Sequence, residues 1–224
     1  MLALGLATLL ALTSTQNGAP QRPLPSVKMR SPERVPSLLS GEPLGAGGSA
    51  LMATAGFPTL GVAWAQGVAP TIDVGAALEL DLALSEFFAG PTVRVGLARR
   101  GATSIAFLAR AGYYADFGAD WVVSRNRAND GFQLAPGVAF STRSPAGGLV
   151  TGAVDVPVTA TVRHGGAIVM PRVFASYEAP FYGDLSIGVR VGASVRAASG
   201  GAPLADRDAR FAVSLGALLT YRIF

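Results

Sequence analysis

The sequence contains no cysteine, one lysine (Lys28) and one histidine (His164) among its 224 residues. The lack of cysteine excludes disulfides, thiolate metal sites and a lipid anchor carried by a cysteine. Charged residues make up only 14% of the chain and its mean hydropathy is positive. Even so, no apolar run reaches the roughly 18–20 residues of a membrane-spanning helix. The basic residues behind the net charge of +4 are scattered, so they form no patch typical of nucleic-acid binding.

A strict alternation of residue types fills the carboxyl-terminal segment, Arg210–Phe224. A period of two over such a length predicts a β-strand with one apolar face and one small or polar face. Strands of soluble proteins average about 5–6 residues, whereas a strand that crosses a membrane needs about 9–11. The apolar positions are Phe211, Val213, Leu215, Ala217, Leu219, Tyr221 and Ile223.

This segment resembles the carboxyl-terminal assembly signal of small bacterial outer-membrane β-barrel proteins. The residues that carry the resemblance are Ser214, Gly216, Leu219, Tyr221 and the terminal Phe224. Phe224 departs from the usual pattern, because it is out of phase with Tyr221. The resemblance implies a transmembrane barrel in the outer membrane of a Gram-negative cell, surrounded by lipid and inserted by the barrel-assembly machinery.

Alternation continues through most of the chain and predicts an all-β, closed antiparallel barrel. We count ten strands, an even number as in single-chain bacterial barrels. Eight is the alternative count if the first pair or the seventh strand is misassigned. The predicted strands are Ser49–Phe57, Leu60–Val68, Ile72–Leu84, Thr92–Arg99, Ser104–Tyr114, Phe132–Ser141, Leu149–Val162, Ala167–Glu178, Leu185–Arg196 and Arg210–Phe224.

Three segments follow from this assignment. Residues 1–15 contain an apolar run followed by small residues, which is typical of a secretory signal peptide although the basic start is missing. Residues 16–48 are rich in Pro, Ser and Gly, a composition that predicts a flexible periplasmic segment. Residues 49–224 form the predicted barrel. Its two longest connections, 115–131 and 197–209, both lie on the side we assign to the cell exterior.

The polar phase of the strands carries many small residues and no lysine. A surface facing water usually carries dense mixed charge including lysine, so we assign this phase to a crowded lumen and the apolar phase to lipid. A charge facing lipid at mid-depth would cost about 2–4 kcal/mol. The predicted lumen charges are Asp73, Glu79, Asp81, Arg94, Arg110, Asp155, Arg172, Glu178, Arg190, Arg196 and Arg222. Asp73, Glu79 and Asp81 are expected to face Arg94 on the next strand as an acid–arginine ladder.

These features favour a membrane-embedded, non-catalytic protein, either a narrow porin-like pore or a structural barrel. We expect a monomer without cofactor, metal or nucleic-acid partner. One alternative is a lipid-modifying or hydrolytic enzyme at the extracellular rim, which would need a Ser and an acid beside His164. Another alternative is a soluble periplasmic ligand-binding barrel, which requires the apolar phase to face inward.

Overall fold

The computed structural model describes residues 35–83, 85–117, 129–163, 165–200 and 210–224. Within these ranges the regular structure is entirely β, and no helix in them is long and apolar enough to span a membrane. The predicted signal peptide at 1–15 lies outside the described residues. The strands are β1 (Ser49–Phe57), β2 (Thr59–Ala69), β3 (Ile72–Asp81), β4 (Glu86–Arg100), β5 (Thr103–Asp116), β6 (Asn129–Arg143), β7 (Leu149–Asp155), β8 (Val158–Thr161), β9 (Ala167–Val169), β10 (Arg172–Tyr182), β11 (Leu185–Ser199) and β12 (Arg210–Arg222).

The strands form one closed antiparallel barrel, because β1 pairs with both β2 and β12. β7 and β8 lie end to end against β6, and β9 and β10 lie end to end against β11. The twelve segments therefore make ten barrel strands, and the predicted closed barrel of ten strands is confirmed. The two interruptions coincide with Pro157 and Pro171, which have no N–H to donate to a neighbouring strand.

We call the end of the barrel where β1 begins and β12 ends the proximal end, and the opposite end the distal end. Ser49 and the last residues of the chain meet at the proximal end, where the Ile223 amide donates to the Ser49 carbonyl over 2.8 Å. The short connections between β2 and β3 and between β4 and β5 lie here too. The strand ends that flank the two longest connections, after β5 and after β11, lie at the distal end.

The alternating residues divide between two unlike faces, and the apolar phase faces outward. Val189, Val191, Val213 and Leu215 are each about half exposed or more on the barrel exterior. Small and polar side chains fill the interior, where the core cluster consists of Ala139, Ala153 and Phe174, with Leu39 and Leu108 packed against it.

Several strand boundaries differ from the predictions, and the largest difference is at the start of the fourth strand. The third strand ends at Asp81 rather than at residue 84, and the fourth begins at Glu86 rather than at Thr92. The fourth strand was predicted too short because Pro91 and Gly90 interrupt its pattern. Both residues nevertheless lie within β4, which pairs with β3 through them.

Residues 35–48 also differ from the flexible segment predicted for 16–48. They form no strand, yet Val35, Ser37, Ser40 and Glu42 are all buried. The segment runs inside the barrel at its proximal end and contacts the walls through hydrogen bonds to β6, β10 and β11. We call residues 35–48 the plug segment.

Candidate functional site: the charged lumen

The proximal part of the lumen is built around an ion pair between neighbouring strands. Asp73 on β3 and Arg94 on β4 are direct register partners. The Arg94 Nε donates to the Asp73 carboxylate over 2.6 Å, and both side chains are almost fully buried. Asp73 also accepts the backbone N–H of Leu44 over 3.1 Å. This pair therefore joins the barrel wall to the plug segment.

The same arginine also binds two backbone carbonyl groups of the plug segment. Arg94 Nη1 donates to the carbonyls of Ser37 and Ser40, at 2.7 and 3.1 Å. A buried carbonyl without such a donor would cost free energy. One guanidinium thus binds two carbonyl groups of a segment that forms no strand or helix.

A second set of contacts holds the plug segment through its only described carboxylate. Glu42 lies 2.6 Å from Arg143 and 3.1 Å from Arg99. Arg143 also donates to the Val35 carbonyl over 3.1 Å. Glu178 on β10 accepts hydrogen bonds from Ser37 and, over 3.2 Å, from Thr220.

At Gly41 the plug segment packs closely against the barrel wall. Its N–H donates to Ser141 Oγ over 2.8 Å. A Cβ at this position would lie 2.7 Å from the Ser104 carbonyl oxygen and 2.8 Å from that of Ala139. Only glycine therefore fits where the plug segment contacts the wall.

The middle of the lumen contains three arginines and two carboxylates, which we call the central layer: Glu79, Arg110, Asp155, Arg172 and Arg190. Glu79 lies 2.5 Å from Arg110 and 3.6 Å from Arg172. Asp155 lies 2.5 Å from Arg172, its direct register partner. Both carboxylates are thus engaged by arginines.

Arg190 is the exception in the central layer. Among the described residues no carboxylate lies within 4.0 Å of its guanidinium, and its buried Nε has no hydrogen-bond partner. Its guanidinium carbon lies 4.3 Å from the centroid of the Phe174 ring, at the distance of a cation–π contact.

A third group of charged residues lies in the distal part of the lumen. Glu86 and Asp116 are direct register partners on β4 and β5, an arrangement that repels unless a cation lies between. Arg196 from β11 supplies this cation: it pairs with Glu86 and lies 3.8 Å from Asp116. Tyr114 accepts from Arg196 over 2.8 Å.

The predicted lumen residues separate into these groups. The structure brings together Asp73 with Arg94, and Glu79 with Arg110, Arg172 and Asp155. Of the acid–arginine ladder predicted between β3 and Arg94, only the pair with Asp73 forms. The prediction is wrong for Glu79, which contacts arginines on β5 and β10 instead. Asp81 accepts the Ala83 N–H over 2.9 Å near the distal end, and Arg222 lies half-buried at the proximal end. Glu178 meets hydroxyl groups rather than an arginine.

Several residues of the site were missed in the sequence. Glu42, Arg99 and Arg143 form the anchor of the plug segment, and Glu86 and Asp116 form the distal acid pair. Longer predicted strands would have included Glu86 and Asp116. Both residues fall in the polar phase once β4 and β5 are extended to their full lengths.

The predicted assembly-signal residues all lie on β12 or directly after it. Leu219 and Tyr221 are exposed on the outer face and Phe224 is exposed beyond the end of β12, whereas Ser214 and Gly216 are half-buried. His164 lies outside the described residues. Within the described ranges, no three acidic, histidine or cysteine residues come close enough to hold a metal ion.

The space left in the lumen is small. A cavity of about 130 Å³ lies between the plug segment and the central layer, lined by Leu38, Leu39, Met52, Leu108, Phe174 and Arg190 among others. A cavity of about 60 Å³ lies on the distal side, beside Asp81 and Arg190. Comparison with known proteins gave no matching family model, no matching curated protein and no matching solved structure.

Proposed function

We propose that this chain is an integral outer-membrane β-barrel protein, non-catalytic, whose lumen is closed by its own plug segment. The observation that carries the proposal is the outward apolar face, with Val191, Val213 and Leu215 each about half exposed or more. Soluble monomers rarely expose continuous apolar surface beyond a few hundred Å². A hydrocarbon environment makes the same surface favourable.

The closed backbone ring supports the same environment. Every strand edge is paired, since β1 and β12 close the sheet. A membrane strand needs this closure because lipid offers no hydrogen bonds to unpaired N–H and C=O groups. The proximal end corresponds to the periplasm and the distal end, with its two long connections, to the cell exterior.

Closure of the lumen favours a structural barrel over an open pore. The plug segment fills the proximal half through Arg94, Glu42 and Gly41. The central layer then crosses the remaining lumen with ion pairs of 2.5 Å. The central layer consists of side chains, which can rearrange, so a conducting path requires above all that the plug segment move.

Single-channel recording in planar bilayers tests this proposal. We expect the full-length protein to insert and to show almost no conductance. Gly41→Val should open steady channels, because its side chain meets backbone oxygens of the wall and displaces the plug segment. The matched control is Gly152→Val on the outer face, where the added Cβ meets nothing within 4 Å, and it should remain closed.

Each failure has a distinct meaning. Steady conductance of the unmodified protein would contradict the closed lumen but not the membrane location. Failure of all three proteins to associate with bilayers, while they remain folded in solution, would contradict the membrane proposal itself.

A further inference from the structure

We propose that the centre of the lumen is a binding site for a short-chain aliphatic carboxylate, with Arg190 holding its carboxylate. The site goes beyond the proposed function, since it requires the folded barrel but not a membrane. Three observations carry it: the charge balance of the central layer, the free donors of Arg190 and the cavity beside them.

The charge balance leaves one positive charge without a counter-ion. Arg110 and Arg172 engage Glu79, and Arg172 also engages Asp155. Two carboxylates thus serve two arginines, and Arg190 has neither a carboxylate partner nor a hydrogen-bond partner for its Nε among the described residues. A charged group withdrawn from water is stable only when it is paired, so the layer favours one additional anion.

The position of Arg190 is suited to a carboxylate. The ring of Phe174 supports one face of its guanidinium at 4.3 Å, which fixes the plane of the five N–H donors. A planar fork of donors matches the two oxygens of a carboxylate in a bidentate arrangement. Three carboxylates, those of Asp73, Glu79 and Asp155, also line the cavity beside Arg190. Each is already bound to an arginine, which reduces its repulsion of such a ligand.

The volume and lining of the cavity beside Arg190 indicate what the ligand carries besides its carboxylate. Its volume is about 130 Å³, and Leu38, Leu39, Met52 and Leu108 supply much of its lining. A cavity of this order accepts an apolar group about the size of benzene. The chain of a ligand bound to Arg190 would therefore lie against aliphatic side chains, which selects a carboxylate with a few methylene groups over a bare inorganic anion.

Butyrate is the probe, with full-length protein folded in a nonionic detergent and isotope-labelled ligand observed by NMR. We expect saturable binding of butyrate, weaker binding of acetate, and no saturable binding of butanol. Arg190→Gln should weaken butyrate binding by about tenfold or more, since it removes charge-assisted hydrogen bonds. Absence of saturable butyrate binding, or equal binding by Arg190→Gln, would overturn the proposal.

A second pair of variants separates the site from effects on folding. Ala77 is buried and lines the cavity, whereas Ala76 on the same strand is exposed on the outer face. Ala77→Leu should fill the cavity and abolish butyrate binding, and Ala76→Leu should leave it unchanged. Retention of butyrate binding by Ala77→Leu would overturn the cavity part of the assignment even if Arg190→Gln failed to fold. Because the measurement uses detergent, its outcome is independent of the bilayer experiments above.

Discussion

The outer face and the lumen of this barrel are made from the same strands, but the side chains on the two faces differ in polarity and in burial. On β11, Val189 and Val191 lie exposed on the outside, and Arg190 between them lies in the lumen. Outside, large apolar side chains project from the barrel, and many are about half exposed. Inside, Asp73, Glu178 and Arg196 are almost fully buried and engaged by other groups. The interior of this fold therefore contains many buried polar and charged side chains beside its small apolar cluster. We expect its stability to depend strongly on the pairing of those charges.

The largest effect should come from breaking a buried pair. Arg94→Ala leaves Asp73 buried without its cation and frees the carbonyls of Ser37 and Ser40. Removing one partner of a desolvated pair costs about 3–5 kcal/mol. Denaturant unfolding of the reconstituted protein, monitored by tryptophan fluorescence, measures this loss.

Arg99→Ala on the same strand is the matched control for Arg94→Ala. The Arg99 side chain is 48% exposed and pairs with Glu42 at 3.1 Å. Glu42 keeps its second partner, Arg143, at 2.6 Å, and a half-exposed arginine contributes about 0–1 kcal/mol. The control should therefore unfold almost as the unmodified protein does. Equal losses for the two variants would show that burial of the lumen charges does not govern stability.

A charge introduced on the outer face should cause the next largest loss of free energy of unfolding. We expect this loss only near the middle of the bilayer. Val189 near the middle of β11 and Val68 near the proximal end of β2 are both 55% exposed. In a bilayer, Val189→Arg should cost about 2–4 kcal/mol and Val68→Arg about 0–1 kcal/mol. The same unfolding measurement in lipid vesicles compares them. Equal, small costs for both would indicate water rather than lipid around the barrel.

The smallest effect is expected for an ion pair outside the lumen. Arg163 lies 3.6 Å from Asp130, and its side chain is 55% exposed. Arg163→Ala should therefore reduce the free energy of unfolding by at most about 1 kcal/mol. A loss comparable with that of Arg94→Ala would contradict the distinction between lumen and surface charges.

Much of the fold could be predicted from the sequence because a period of two determines both the strands and their faces. The first strand was predicted with the bounds that the structure gives, Ser49–Phe57. Asp73 and Arg94 were predicted to face each other, since hairpin neighbours of one phase do so. The contact between Glu79 and Arg172 could not be predicted, because it crosses the lumen and depends on the curvature of the closed sheet.

The plug segment was missed for a different physical reason. Its composition of Pro, Ser and Gly predicts disorder because such a segment cannot bury apolar surface of its own. Inside the barrel it does not need to, since Arg94 and Arg143 satisfy its carbonyls and Asp73 accepts its N–H at Leu44. A prediction from local composition has no access to partners that the rest of the chain supplies.

The central claim, that the outer face contacts lipid, is tested most directly with Trp64. This side chain is 42% exposed on the outer face of β2, and Trp121→Phe leaves it as the only tryptophan. In vesicles of lipids with brominated acyl chains, Trp64 fluorescence should be strongly quenched. A variant that carries Trp64→Phe and Phe174→Trp as well, with its indole in the lumen, should be quenched much less. Equal fluorescence of Trp64 in brominated and ordinary lipid would contradict the membrane-spanning barrel.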